Sequence, residues 1–297
     1  KRTALAHFLF KLFGAVFCLL AFPLFMRIVA VLSPDVAQQI AYGHLLFNVF
    51  IVAFFFFFLQ PFSYLVERIV PGRVETLPIW PEYLDDRSLQ DPATALEQVR
   101  KELRRQMYLV QRMCAASMNL IPHFGEGRAR DIRYIELVVD NLRRELNRYL
   151  MKISRGGLSA ELSRKLFAYS GISDDIERIG NHAVYVVDLA RERHRGNIEF
   201  TRWAFAEVEE IADLINRNMA DAVSLLDGAD TELITRIFAR EDRIDRLVRE
   251  ARRRHQERYL SCICQPEAGP IYIEMLIRLE RMSDHCENIA EYARDLK

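Results

Sequence analysis

Ser173-Asp-Asp-Ile-Glu-Arg-Ile-Gly-Asn-His182 returns near the C-terminus as Ile277-Arg-Leu-Glu-Arg-Met-Ser-Asp-His285, and this recurrence decides the fold. Sliding the chain back on itself pairs Gln111-Arg112 with Asn216-Arg217, Glu136 with Glu241 and Asp140 with Asp245, all at an offset of 105 residues. Glu177 pairs with Glu280 and Asn181 with Asp284 at 103, so a two-residue gap falls between the second and third helices of each unit. Self-similarity at a fixed period is the signature of a duplicated structural unit. Two copies of one three-helix unit follow.

Each copy carries the punctuation of long helices. Asp91-Pro92 is an N-cap followed by proline at the first helical position. The first helix is expected to run to about Ile121, before Pro122 and Gly125. Ile132, Ile135, Val139, Leu142, Leu146, Tyr149 and Ile153 form a single apolar seam on the second helix, which Gly156-Gly157 ends. Ser159 caps the third, and Gly196 closes the unit. The second copy is expected over Ile198 to Leu226, Asp230 to Leu260, and Ile271 to Leu296 after a break at Pro266 to Pro270. Long amphipathic helices with short connections bury their stripes only by bundling. The fold class is therefore all-α, with two transmembrane helices followed by a six-helix bundle of two three-helix repeats.

Charge is unevenly placed. Up to Gly72 there are five basic and two acidic residues, while the remainder holds 36 basic and 39 acidic. A membrane part is joined to a soluble part. The near balance of charge in the soluble part gives no basic face for nucleic acid. Five cysteines without a disulfide framework fit a reducing compartment. The chain opens with Lys and has no signal peptide, which is expected of a piece of a longer protein.

Leu12 to Leu32 has one charge, Arg27, and Leu45 to Val66 has none, each near the ~20 residues that cross a hydrocarbon core. Both are expected to span, with Pro23 and Pro61 kinking them. The connection Ser33 to Gln39 carries no Lys or Arg, whereas Lys1, Arg2, Arg68 and Arg73 lie on the other side. The positive-inside rule then places the C-terminal domain in the cytoplasm. Two echoes stand in the spans: His7, Phe10 and Lys11, and His44, Phe47 and Asn48. They read either as helix-to-helix hydrogen-bonding groups or as the lining of a substrate or ion path. The pattern A-x-x-H-x-x-F-N, followed by an apolar run ending in Pro, resembles the final membrane helices of bacterial sodium/phosphate cotransporters. On that resemblance His7, His44 and Asn48 belong to the substrate path, and Lys11 stands where the family has Asn. The Gln-Ser-Ser signatures of that family do not occur in this chain and are expected upstream of Lys1. Residues 1–70 are the membrane region and 71–92 a linker, with five prolines and glycines around Trp80 and Tyr83, rings that fit either the membrane interface or the bundle surface. Residues 93–297 are the bundle, in repeats 93–195 and 198–297.

Four E-x-x-x-(D/N) pairs remain: Glu136 and Asp140, Glu177 and Asn181, Glu241 and Asp245, Glu280 and Asp284. A spacing of four puts both side chains on one helix face. Clustered carboxylates repel unless a cation sits among them, and such oxygen sets suit iron, manganese, magnesium or zinc. The competing reading is a solvated face of i,i+4 salt bridges with Arg143, Arg178, Arg243 and Arg281. D-I-E-R-I-G-N-H and L-E-R-M-S-D-H-C-E-N-I-A-E are similar to the third-helix signature of the PhoU family, cytoplasmic regulators of phosphate uptake, whose metal-cluster ligands the E-x-x-x-D motifs match. Asn181 replaces the usual Asp, so the first site is expected to be the weaker. Cys262 and Cys264 are too close to chelate and read as ordinary thiols.

No catalytic constellation is present, and the chain is not read as an enzyme. A di-iron oxidase would need Glu-x-x-His, and no Glu here has His three residues later. The two resemblances together imply the C-terminal part of a sodium-dependent inorganic phosphate transporter with a regulatory domain. Sodium and phosphate would be its transported ions, lipid its surroundings, and a bacterial inner membrane its location, with a homo-oligomer left open. The alternative is a membrane-tethered regulatory module acting on a separate transporter or kinase.

Overall fold

Proline breaks both apolar runs. The computed structural model describes residues 2–69, 77–228, 230–294 and 296, without the side chains of Arg2, Thr3 and Glu67. Residues 71–76 of the expected linker lie outside the described residues. The chain forms two compact units, Lys1–Thr76 and Leu77–Lys297.

In the first unit, α1 (Arg2–Leu20) and α2 (Phe22–Leu32) meet at Ala21 with a bend of 81°. Pro23 sits in the first turn of α2, where its missing N–H costs nothing, but an unbroken helix would have needed that donor. α3 (Val36–Phe57) gives way to α4 (Leu59–Ile69) at Phe58, again just ahead of a proline, Pro61. The two expected spans are thus four helices. Among the described residues α3, with a mean hydropathy of 2.1, is the one helix long and apolar enough to cross a hydrocarbon core, and α1 and α2 qualify only as a bent pair. Between them Ser33 and Asp35 close a polar turn: Gln39 donates to the Ser33 carbonyl at 2.8 Å, and Asp35 caps α3 by accepting from the Ala37 N–H at 3.2 Å. α1 and α3 run antiparallel along a ladder of rings, Phe17 on Phe50 at 4.3 Å and Phe13 on Phe54 at 4.8 Å. Gly14 permits this approach, since a Cβ there would stand 2.1 Å from Ile51 Cδ1.

The second unit holds α5 (Pro92–Met118), α6 (Glu126–Ser154), α7 (Ala160–Arg195), α8 (Arg202–Leu225), α9 (Thr231–Leu260) and α10 (Ala268–Arg294). The caps read from sequence form: Asp91 accepts from Ala93 N–H at 3.2 Å, Ser159 from Leu162 N–H at 3.2 Å and Asp230 from Glu232 N–H at 2.9 Å. α8 starts later than expected because Thr201 takes the cap, accepting from Ala204 N–H at 3.2 Å. Asn197, with φ 49°, turns the chain out of α7, so the residue after Gly196 supplies the left-handed step. Cys262, with φ 55°, does the same after α9.

The repeats join through α7 and α10, which lie antiparallel. Tyr292 fits over Gly171, where a Cβ would stand 2.4 Å from the ring, and at the other end the Arg278 guanidinium lies 4.4 Å from the centre of the Tyr185 ring. Ile172, Ile176, Ile179, Leu276, Leu279 and Met282 are fully buried here. At roughly 1.5–3 kcal/mol for each large apolar side chain buried, this interface is a main source of the unit's stability.

Ahead of α5, residues 77–90 form a strap across α5 and α6 that ends in a short 3-10 turn, Asp86–Gln90. The buried carboxylate of Glu102 accepts the backbone N–H groups of Glu82 (2.8 Å) and Tyr83 (3.0 Å), and Arg105 binds it at 2.6 Å. Asn141 holds the Ile79 carbonyl at 2.8 Å, and Tyr149 donates to that of Asp85 at 2.7 Å. The bundle unit thus begins at Leu77, upstream of the expected 93. In the second repeat the equivalent of Glu102 is Glu207, and it is satisfied differently: Arg258 binds it with two bonds, 2.9 and 2.7 Å, and the Tyr272 hydroxyl donates to it.

Candidate metal centre

Glu241 and Asp245 stand one turn apart on α9 and face Asp284 on α10. One carboxylate oxygen from each lies within 4.8 Å of the others, and among the described residues this is the one group of three potential metal-ligating acids, histidines or cysteines gathered so closely. Ligand oxygens around a hard cation at ~2.1–2.4 Å are separated by this much or less, so the residues fit such an ion. Glu241 is only 9% exposed. Burial, then Asp245, Glu287 and Asp284 as negative neighbours, push its carboxyl up to about 8. Without a cation it holds a proton at neutral pH.

Glu280, expected as the fourth ligand, is turned away: its carboxylate accepts from Arg252 of α9 at 2.7 Å. The set is one of three carboxylates, with a second layer that the E-x-x-x-D spacing missed. The carboxyl of Glu287 is raised by burial, then by Glu291, Asp284, Asp242 and Asp245. Its signal in the sequence was its position three residues after Asp284, on the same helix face.

The first repeat does not gather its acids. Asp140 is held by Arg144 at 3.1 Å, and Glu177 accepts the Asn181 amide at 2.9 Å. Glu136 is left half-buried, its carboxyl raised by burial and by Asp140 and Glu177. Where the second repeat has Asp242 and Glu287, the first has Leu137 and Val184. These line an open pocket of about 600 Å³ together with Arg133, Glu136, Asn181 and Tyr185. Two acids of the outer layer are missing, and Arg133 pairs with Asp188, the counterpart of Glu291.

Beside both sites, the two histidines meet across the repeat interface, their rings stacked 5.5 Å apart. His285 Nδ1 is bonded to Asp175 at 2.6 Å, and Asp175 also accepts from Asn288 at 3.1 Å. His182 has no such carboxylate, and its Nδ1 is shut from solvent without a partner. Burial, then His285 and the guanidinium groups of Arg278, Arg281 and Arg178, push it down to about 4, so it stays neutral. These rings tie repeat to repeat.

The expected path residues are not brought together in the first unit. His44 neighbours Gly43, which faces Phe25, whereas Phe10, beside His7, packs on Phe55 at the opposite end of the antiparallel pair. Both histidines are exposed, and the Asn48 amide is spent on the His44 carbonyl at 2.8 Å.

The family profile described as PhoU domain matches residues 103–190 and 208–293, one match for each repeat. Among curated relatives, PhoU homolog 1 of Thermotoga maritima, a phosphate-specific transport system accessory protein, is 22% identical over 197 residues, covering 65% of this chain and 83% of its own. YjbB of Escherichia coli K12, by its name a candidate inorganic phosphate export protein, is 21% identical over 292 residues, which is 95% of this chain and 52% of YjbB. The chain therefore spans about half the length of that relative. The crystal structure of PhoU from Pseudomonas aeruginosa superposes with a TM-score of 0.63 at 24% identity, over 68% of this chain and 96% of that one. With matching profile, duplicated bundle and repeat-borne acidic motifs, the chain belongs to the PhoU domain family.

Proposed function

We propose that this chain is the C-terminal portion of a sodium-dependent inorganic phosphate transporter, whose PhoU domain regulates phosphate movement from the cytoplasmic side of a bacterial inner membrane. The observation that carries this reading is the extent of the likeness to YjbB, which runs over apolar helices and bundle alike, 95% of the chain, while the PhoU accessory proteins match only about two thirds of it. Sodium coupling rests on the A-x-x-H-x-x-F-N resemblance. A divalent or trivalent cation such as iron, zinc, manganese or magnesium held by Glu241, Asp245 and Asp284 would neutralise three clustered carboxylates and so tighten α9 onto α10. The chain does no covalent chemistry on this reading.

The alternative, a membrane-tethered module acting on a separate transporter or kinase, draws on the relatives named as accessory proteins. Proteoliposomes separate the two. Sodium-driven phosphate flux is expected from a chain extended by its encoded upstream sequence and not from these 297 residues alone, which lack the Gln-Ser-Ser segments. Flux from this chain alone would refute the assignment of transport to an upstream part. An extended chain that moves no phosphate would leave the module reading standing.

A further inference from the structure

The strap is held by its main chain as well as by Leu77, Leu84 and Leu89, which pack against the core. Arg105 binds the carbonyls of Pro78 and Trp80, Tyr134 that of Leu77, Asn141 that of Ile79, and Glu102 the N–H groups of Glu82 and Tyr83. The side chains of Ile79, Trp80 and Tyr83 are left outward and exposed, Trp80 at 67%. Their exposure does not come from slack, because the backbone beneath them is bonded at nearly every step. Two more exposed apolar side chains border the same ground. Tyr108 lies one turn beyond Arg105 on α5, and Leu137 lies within about a turn of both Tyr134 and Asn141 on α6.

A contiguous patch of large apolar side chains kept in water marks an interaction surface. The chain itself indicates the occupant. Only residues 70–76 separate the end of α4 at Ile69 from Leu77, a reach of at most about 28 Å at full extension. The composition of the patch points the same way. Trp and Tyr, with apolar rings and one polar atom, favour the headgroup zone, which is roughly 5–7 Å deep on each side of the hydrocarbon core, about one layer of side chains.

We propose that Ile79, Trp80 and Tyr83, bordered by Tyr108 and Leu137, form an interfacial anchor that lays this face of the bundle in the headgroup layer of a lipid bilayer. The inference rests on the reading of the first unit as membrane-embedded. It explains why only the first repeat carries a strap: at the equivalent place in the second, Glu207 is closed off by Arg258 and Tyr272.

The chain has two tryptophans, and the second is a built-in control. Trp203 is also exposed, at 47%, but stands at the start of α8 under the Arg202 guanidinium, 4.5 Å away, outside the patch. The full chain is reconstituted in vesicles of phosphatidylethanolamine with a minority of phosphatidylglycerol, as the Trp203→Phe and Trp80→Phe variants, with lipids brominated near the headgroup as quenchers. Trp80 is expected to be blue-shifted and quenched several-fold more strongly than Trp203. Equal, weak quenching of both in chains that float with the vesicles would overturn the anchor and leave the membrane reading intact. Chains that fail to float would overturn both.

Discussion

Binding a divalent cation at Glu241, Asp245 and Asp284 should expel a proton. With its carboxyl pushed up to about 8, Glu241 is about 90% protonated at pH 7, and the cation must displace that proton to use the oxygen. About 0.9 proton should be released per ion bound at pH 7, and the apparent affinity should rise roughly tenfold between pH 6 and 7, then level off above pH 8. The same shift has a consequence for the metal-free fold. An unfolded Glu loses its proton near its ordinary value while folded Glu241 keeps its own, so stability falls as pH rises from about 4.5 to about 8 and is level above. Asp284→Asn removes one anionic ligand and should weaken binding tenfold to a hundredfold, about 1.4–2.8 kcal/mol. It should also lower the Glu241 carboxyl and reduce the proton release. Asp140→Asn should change affinity by less than about twofold, since Asp140 lies in the other repeat, outside the cluster of Glu241, Asp245 and Asp284. Titration calorimetry with manganese, in two buffers of different ionisation enthalpy, measures both quantities at once. Binding that is independent of pH between 6 and 8, or equal losses in the two variants, would refute the reasoning and return these acids to a solvated face.

Three further outcomes follow from the bundle. Arg258→Met takes from the Glu207 carboxylate, with a side chain 10% exposed, its two-bonded cation and leaves only Arg254 at 3.8 Å, and should cost roughly 2–4 kcal/mol, about 8 °C in Tm; the double variant with Glu207→Gln should recover most of it in urea melts. A fragment beginning at Asp91 should fold but be about 2–3 kcal/mol less stable than one beginning at Leu77, because buried Glu102 loses the N–H groups of Glu82 and Tyr83; coincident melts would show that the strap contributes nothing. Cys262→Gly relieves a left-handed non-glycine residue and should raise stability by about 1 kcal/mol by the same assay.

The duplication, the helices and most of their ends could be read from the sequence, because each depends on residues within a turn or two of one another. Asp91, Ser159 and Asp230 reach N–H groups two or three positions on, and the seam from Ile132 to Ile153 repeats with the helix itself. The apolar runs were legible for a similar reason, though the sequence showed a kink where the chain makes an 81° corner: proline forbids one hydrogen bond, and packing decides how far the chain then turns. What each acid does was not legible. Glu280 and Asp284 look alike along the chain and each meets an arginine, Arg252 of the neighbouring helix and Arg281 of its own, yet only Asp284 gathers with Glu241 and Asp245. Glu102 and Glu207 are equivalent by the repeat, yet a strap satisfies the first, and an arginine and a tyrosine the second. A carboxylate's role depends on the charge and burial brought to it from other helices, and that juxtaposition exists only once the tertiary structure has formed.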